Sequence, residues 1–93
     1  MKIIQSRSFK RKVKKFDQQD KKKLDKQIIG ITKTPSIDIE KKGDLRGVFV
    51  HKFKLKSIEY LLSYRFIRED LELIMIGPHQ NYYRDLKSYL KAR

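Results

Sequence analysis

The chain has 93 residues, no cysteine and a formal net charge of +13, from 24 Lys and Arg against 11 Asp and Glu. This length predicts a single domain over residues 1–93, and the lack of cysteine excludes disulfides and thiolate metal sites. The surplus positive charge attracts polyanions over a screening length of about 8 Å: nucleic acid is the first candidate partner, with an anionic membrane surface and an acidic protein as the others.

In chain order, "KIIQS" (2–6) reads as a short first strand. The opening "MKIIQSRSFKRK" has no apolar stretch of the kind a signal peptide needs. From Ser8 to Phe16, the residues Phe9, Val13 and Phe16 recur at helical spacing, with Lys and Arg between them. Asp17 or Asp20 is placed to cap a second helix, in which Leu24, Ile28 and Ile31 mark one face. That helix is expected to stop before Pro35. After the loop "IDIEKKGDLRG" (37–47) the apolar period changes from helical to two. Strands are predicted over 48–55, 59–68 and 71–76, joined as two consecutive hairpins. A last helix is predicted from about His79 to Leu90, with Tyr82, Tyr83, Leu86, Tyr89 and Leu90 on one side. The longest uninterrupted apolar run, Leu73 to Ile76, is far too short to span a bilayer. A cytoplasmic protein without membrane association is the expectation.

Strand parity sorts the predicted sheet into two faces. Phe49, Phe53, Leu55, Tyr60, Leu62, Tyr64 and Phe66 fall on one, which is expected to pack against the helix pair. His51 falls there too, and a histidine on a core face is usually a hydrogen-bonded structural residue. Lys52, Lys54, Ser63 and Arg65 fall on the other face, among Val48, Val50 and Leu61. A cationic row is costly to bury, so this face is expected to be wet and anion-facing. Removing Lys52, Lys54 or Arg65 is then expected to leave folding nearly intact. A turn at Ser57-Ile58 would pair Lys54 with Leu61, Lys52 with Ser63 and Val50 with Arg65.

The stretch "GPHQNYYRDLK" (77–87) concentrates a His, two Tyr, an Asn and an Arg at the predicted helix start. Free backbone N–H groups there suit an anion. His79 has the side chain best suited to proton transfer near neutrality, and Tyr83, four residues on, is placed to meet it on one helix face. Tyrosines can also stack on bases.

With "GDLRGVFVHKFK", "YLLSYRF" and "IGPHQNYYRDLK" in this order, nearly the whole chain resembles the RelE/ParE superfamily of toxins from bacterial type II toxin–antitoxin systems. The resemblance implies a small α+β domain: an N-terminal helix pair packed on a mainly antiparallel four-stranded sheet, with a short C-terminal helix. It further implies a ribosome-dependent mRNA endonuclease that cleaves by metal-independent 2′-OH attack, with no cofactor. On that reading His79 handles a proton, most simply as the acid. Lys52, Lys54 and Arg65 stabilise the phosphate, and Tyr83 stacks on or orients the target nucleotide. Asn81, Tyr82 and Arg84 are candidate substrate contacts. His79 and Tyr83 match the pattern of the YafQ-like branch. The YoeB-like pattern is not met, since residues 47–56 contain no Glu. The base is left open between His51 and a lysine of lowered pKa. The implied partners are the ribosome, mRNA and a cognate antitoxin with an acidic, partly disordered segment. The alternative within the superfamily is a ParE-like DNA gyrase poison that cuts nothing itself.

Overall fold

The computed structural model describes residues 1–92. The elements are β1 (Ile3–Gln5), α1 (Arg7–Val13), α2 (Gln18–Lys33), a 3-10 turn (Gly43–Leu45), β2 (Phe49–Leu55), β3 (Ile58–Ile67), β4 (Asp70–Pro78) and α3 (Tyr82–Ala92). The strands form one sheet in the order β1-β4-β3-β2, with β1 parallel to β4 and the remaining pairs antiparallel. This is the expected small α+β architecture.

Side-chain caps set the helix starts. The Ser6 hydroxyl accepts from the Phe9 N–H at 3.0 Å and donates to the Ile74 carbonyl, so one group both begins α1 and ties it to β4. The Asp17 carboxylate accepts from the Asp20 N–H at 2.8 Å and begins α2. The first helix stops at Val13, three residues before the expected Phe16. The chain must reverse before Asp17, whose capping backbone is extended, so residues 14–16 form a tight turn closed by Phe16 N–H on the Val13 carbonyl. The turn still brings Phe16 edge-on to Tyr60, 5.9 Å between ring centres.

Strand parity places the main core as expected. Phe9, Leu24, Ile28 and Ile31 from the helix pair pack on Phe53, Leu55, Leu62, Tyr64, Leu71 and Leu73. A register shift opposite Ser63 and Tyr64 leaves Ile74 as an extra residue in β4, because Ser63 pairs with Met75 but Tyr64 with Leu73. This bulge switches the alternation. It lets Ile76 join Leu71 and Leu73 in the helix-side core while Ile74 points to the opposite face.

That opposite face departs from the expectation of a wet surface. Val48, Val50, Leu61 and Ile74 are covered by Leu45, Tyr82 and Leu86 in a second apolar layer. Ser63, assigned to the cationic row, is fully buried; its hydroxyl donates to the Met75 carbonyl at 3.2 Å. The physical reason is complementarity. The half-apolar sheet face and the apolar stripe of α3 each need cover, and each covers the other.

The β2–β3 hairpin also differs from expectation. Its turn is Lys56-Ser57, both at positive φ (51° and 68°), as a tight two-residue hairpin turn requires. Partners therefore move by two: Lys54 faces Glu59, Lys52 faces Leu61 and Val50 faces Ser63. An even shift preserves every face, but it brings a carboxylate beside Lys54.

Candidate active site

His79 follows the end of β4 in a bend, not in the expected helix. α3 begins three residues later, and Asn81 turns the chain with a left-handed backbone (φ 58°), a conformation asparagine tolerates. The His79 N–H donates to the Glu59 carbonyl at 3.3 Å, and its own carbonyl accepts from the Tyr82 N–H at 3.2 Å. The backbone of His79 is thus pinned to β3 while its residue surface is exposed. The expected meeting of His79 with Tyr83 occurs through this turn instead: the rings stand edge to face, 6.4 Å between centres.

Tyr83 is half-buried and held on three sides. Beyond His79 it meets the Tyr82 ring at 5.8 Å, and Lys41 Nζ lies 5.4 Å from its ring centre. Such a cation over an aromatic face is an attractive contact. Tyr82 is buried, and its hydroxyl bonds the Ser63 hydroxyl at 2.8 Å and the Met75 carbonyl at 2.6 Å. Burial pushes its pKa well above the usual phenol value. Tyr82 therefore anchors α3 to the sheet and is not a surface for substrate, contrary to expectation.

Lys52 and Lys54 project from edge strand β2, exposed, on the face that carries α3. Glu59 lies directly across from Lys54, and alternation along β3 with the buried Leu61 and Ser63 places it on that same face. Cross-strand partners of this kind have Cβ atoms roughly 5 Å apart. The Glu59 carbonyl is also the group that holds His79. One end of the sheet thus brings together an imidazole, a carboxylate, two ammonium groups and an aromatic ring.

Two expected members lie elsewhere. Arg65 Nε donates to the largely buried Glu72 carboxylate at 2.6 Å. It stands six residues along β3 from Glu59, roughly 20 Å at strand rise, too far to share a phosphate with His79. His51 lies behind the sheet in the helix-side layer, 8% exposed. Its Nδ1 donates to Asp38 at 2.9 Å and its Nε2 pairs with the Gln27 amide at 2.8 Å. Asp38 also accepts from the Tyr64 hydroxyl at 2.6 Å. The parity reading of His51 as structural holds, and its alternative role as base finds no geometric support. Asn81 and Arg84 are both exposed beside His79 and Tyr83, and Arg84 leans on Asp85 at 3.4 Å.

A family model for the ParE-like toxin of type II bacterial toxin–antitoxin systems matches residues 3–87. The chain belongs to this toxin family. No curated protein matches it. Its fold is similar to that of Escherichia coli RelE in the intact RelBE toxin–antitoxin complex, with a TM-score of 0.67, 21% identity, and coverage of 85% of this chain and 96% of that one. Isolated E. coli RelE gives 0.65 at 20% identity, with coverage of 94% and 96%. A conserved hypothetical protein from Helicobacter pylori, HP0894, gives 0.50 at 22% identity, with coverage of 85% and 94%. At these identities the likeness establishes a RelE-like fold.

Two residues of the toxin's cluster are not among those expected from the sequence. Glu59 is detectable by the same parity that places Leu61 and Ser63, once the count is carried to the first turn of the strand. Lys41 is not, because it reaches Tyr83 from a loop that wraps the edge of β2. That loop is fixed by Lys41 N–H on the Val48 carbonyl (2.8 Å) and Glu40 on the Gly47 N–H (2.9 Å). Among the described residues no group of three or more His, Cys, Asp or Glu is arranged to hold a metal ion. Nor is any helix long and apolar enough to cross a membrane.

Proposed function

We propose that this toxin is a ribosome-dependent mRNA endonuclease that cleaves by metal-independent 2′-OH attack. The observation that carries this reading is the shared position of His79, Tyr83, Lys52, Lys54 and Glu59 at one end of one sheet face. RNA supplies its own nucleophile. Glu59 accepts the 2′-OH proton, the 2′ oxygen bonds to phosphorus, and the 5′ oxygen leaves with a proton from His79. The products are a 2′,3′-cyclic phosphate and a 5′-OH. Lys52 and Lys54 stabilise the charge that gathers on the phosphate oxygens. Tyr83, steadied by Lys41, orients the target nucleotide through its remaining surface, with Asn81 and Arg84 beside it. In the cell the toxin is held by an antitoxin with an acidic, partly disordered segment, a reading supported by the +13 charge and by the complexed state of the similar RelE.

The test is purified toxin with message-programmed ribosomes and with mRNA alone, followed by analysis of the fragment ends. Cleavage confined to the ribosome sample, with cyclic phosphate and 5′-OH ends, is expected. A second reading, gyrase poisoning, is favoured by the separation of Arg65 and His51 from the cluster. Intact mRNA together with trapped gyrase–DNA complexes in a supercoiling assay would establish it instead.

A further inference from the structure

Residues 34–44 carry the chain from the end of α2 into the 3-10 turn, and all are exposed except Asp38 and Lys41, which are half-buried. Ile37 and Ile39 face solvent, at 49% and 86% exposure, so apolar packing does little to hold this loop. Polar contacts hold it instead. The loop crosses the free edge of β2, where Glu40 bridges Phe49 and the Lys41 N–H donates to the Val48 carbonyl at 2.8 Å. Behind the sheet, one oxygen of the Asp38 carboxylate accepts from both His51 Nδ1, at 2.9 Å, and the Tyr64 hydroxyl, at 2.6 Å. In front of the sheet, Lys41 Nζ stands 5.4 Å from the centre of the Tyr83 ring. One short segment thus joins a buried anchor on the helix side to an aromatic ring of the candidate site.

We propose that Asp38 is a positioning residue for the candidate site: its carboxylate fixes the loop behind the sheet and thereby delivers the Lys41 ammonium to Tyr83. Three residues span at most about 10–11 Å, so a fixed Asp38 confines Lys41 to a short stretch of the β2 edge. The groups that hold Asp38 are themselves held. Tyr64 is fully buried and its ring stacks on Phe49, 5.4 Å between centres. His51 is buried, and the Gln27 amide of α2 meets its Nε2 at 2.8 Å. Hydrogen bonds to an ionised carboxylate are roughly twice as strong as neutral ones, which suits a loop with so little packing of its own. Asp38 lies across the sheet from Lys52, Lys54 and Tyr83, so it touches no substrate there and acts through the loop. Its effect on cleavage rests on the proposed function; its hold on Lys41 does not depend on whether the toxin cuts RNA.

The test compares Asp38→Ala, Asp38→Asn, Tyr64→Phe and Lys41→Gln in the isotopically labelled full-length protein. Asp38→Ala is expected to speed hydrogen exchange at the Lys41 amide by roughly tenfold or more. The Lys10 amide in α1, which does not touch the loop, is expected to keep its rate. The Lys41 side-chain resonances are expected to lose the ring-current shift that Tyr83 gives them. In Asp38→Asn the amide oxygen can accept both bonds, so most of the protection is expected to return. Tyr64→Phe removes one bond and keeps the packed ring; it is expected to speed exchange at Lys41 by roughly threefold, and it decides the matter if Asp38→Ala does not fold. With message-programmed ribosomes, Asp38→Ala and Lys41→Gln are expected to lower kcat/KM alike, and the double variant no further than either, because the two act in series. An unchanged Lys41 amide, equal acceleration at Lys10, no recovery in Asp38→Asn, or losses that multiply in the double variant would each overturn the proposal. An unmodified toxin that leaves mRNA intact would overturn the nuclease reading and leave the exchange and ring-shift results to decide this one.

Discussion

At the scale of single residues, position on the sheet separates chemistry from support. His79 is exposed and held by backbone bonds, so its imidazole is free to act. His79→Ala is expected to lower cleavage about 10²–10⁴-fold with an unchanged melting temperature, and Glu59→Gln to behave alike; a residual rate near wild type in Glu59→Gln would remove it as the base. Arg65 is the contrary case. Its guanidinium pairs with a carboxylate that is 8% exposed, so Arg65→Ala is expected to destabilise by about 1–3 kcal/mol, read by urea unfolding, instead of leaving folding intact. Tyr82 and Tyr64 make stability depend on alkaline pH. Burial raises the pKa of both, and the Asp38 carboxylate raises Tyr64 further. An unfolded tyrosine loses its proton near pH 10, whereas these keep theirs. Above that pH the folded state binds more protons than the unfolded one. Stability is therefore full below pH 10 and falls as pH rises, by up to about 1.4 kcal/mol per pH unit for each such tyrosine. Tyr82→Phe is expected to make this fall shallower in unfolding curves between pH 9 and 11.5; an identical slope would mean that Tyr82 ionises as freely folded as unfolded.

At the scale of elements, α3 closes the second layer and also positions the turn that carries His79. Leu86 is fully buried against the sheet, so Leu86→Ala is expected to cost about 2–5 kcal/mol, as large a loss as Leu62→Ala in the main core. Equilibrium unfolding distinguishes this from a peripheral helix, whose truncation would cost far less. The stripes of α2 and α3 and both strand faces were legible in the sequence because period 3.6 and period 2 are local properties. The hairpin register was not, since any even shift of the turn preserves every face while changing who faces Lys54. The β4 bulge was equally hidden: one extra residue, Ile74, reverses the parity of the residues after it, and nothing in "LELIMIG" marks where. The cover that α3 gives to Ser63 was missed because reading each element alone does not reveal that two half-apolar faces meet. His79 and Tyr83 were legible as a pair by their spacing, although a turn rather than a helix joins them. The partners of His51 were beyond reach, since Asp38 and Gln27 come from a loop and from α2.

At the scale of the whole molecule, charge and shape act together. The cations on α1, the lysines of β2 and those around α3 are mostly exposed, and the total is +13. Such a surface opposes its own compaction and draws in any polyanion. Since screening at 1 M salt reduces the interaction range to about 3 Å, added salt is expected to raise the toxin's stability while it weakens its associations. The rate at which the toxin meets an acidic partner separates long-range attraction from short-range fit. Long-range steering raises association toward about 10⁸–10⁹ M⁻¹s⁻¹ at low salt, against about 10⁵–10⁶ M⁻¹s⁻¹ for an unsteered encounter. Dissociation depends on the seated contacts and changes far less. Stopped-flow measurement with an acidic polypeptide partner is expected to show an association rate that drops steeply with salt and a dissociation rate that barely moves. An association rate flat across that range would mean that the surplus charge plays no part in capture, and that the partner is found by shape alone.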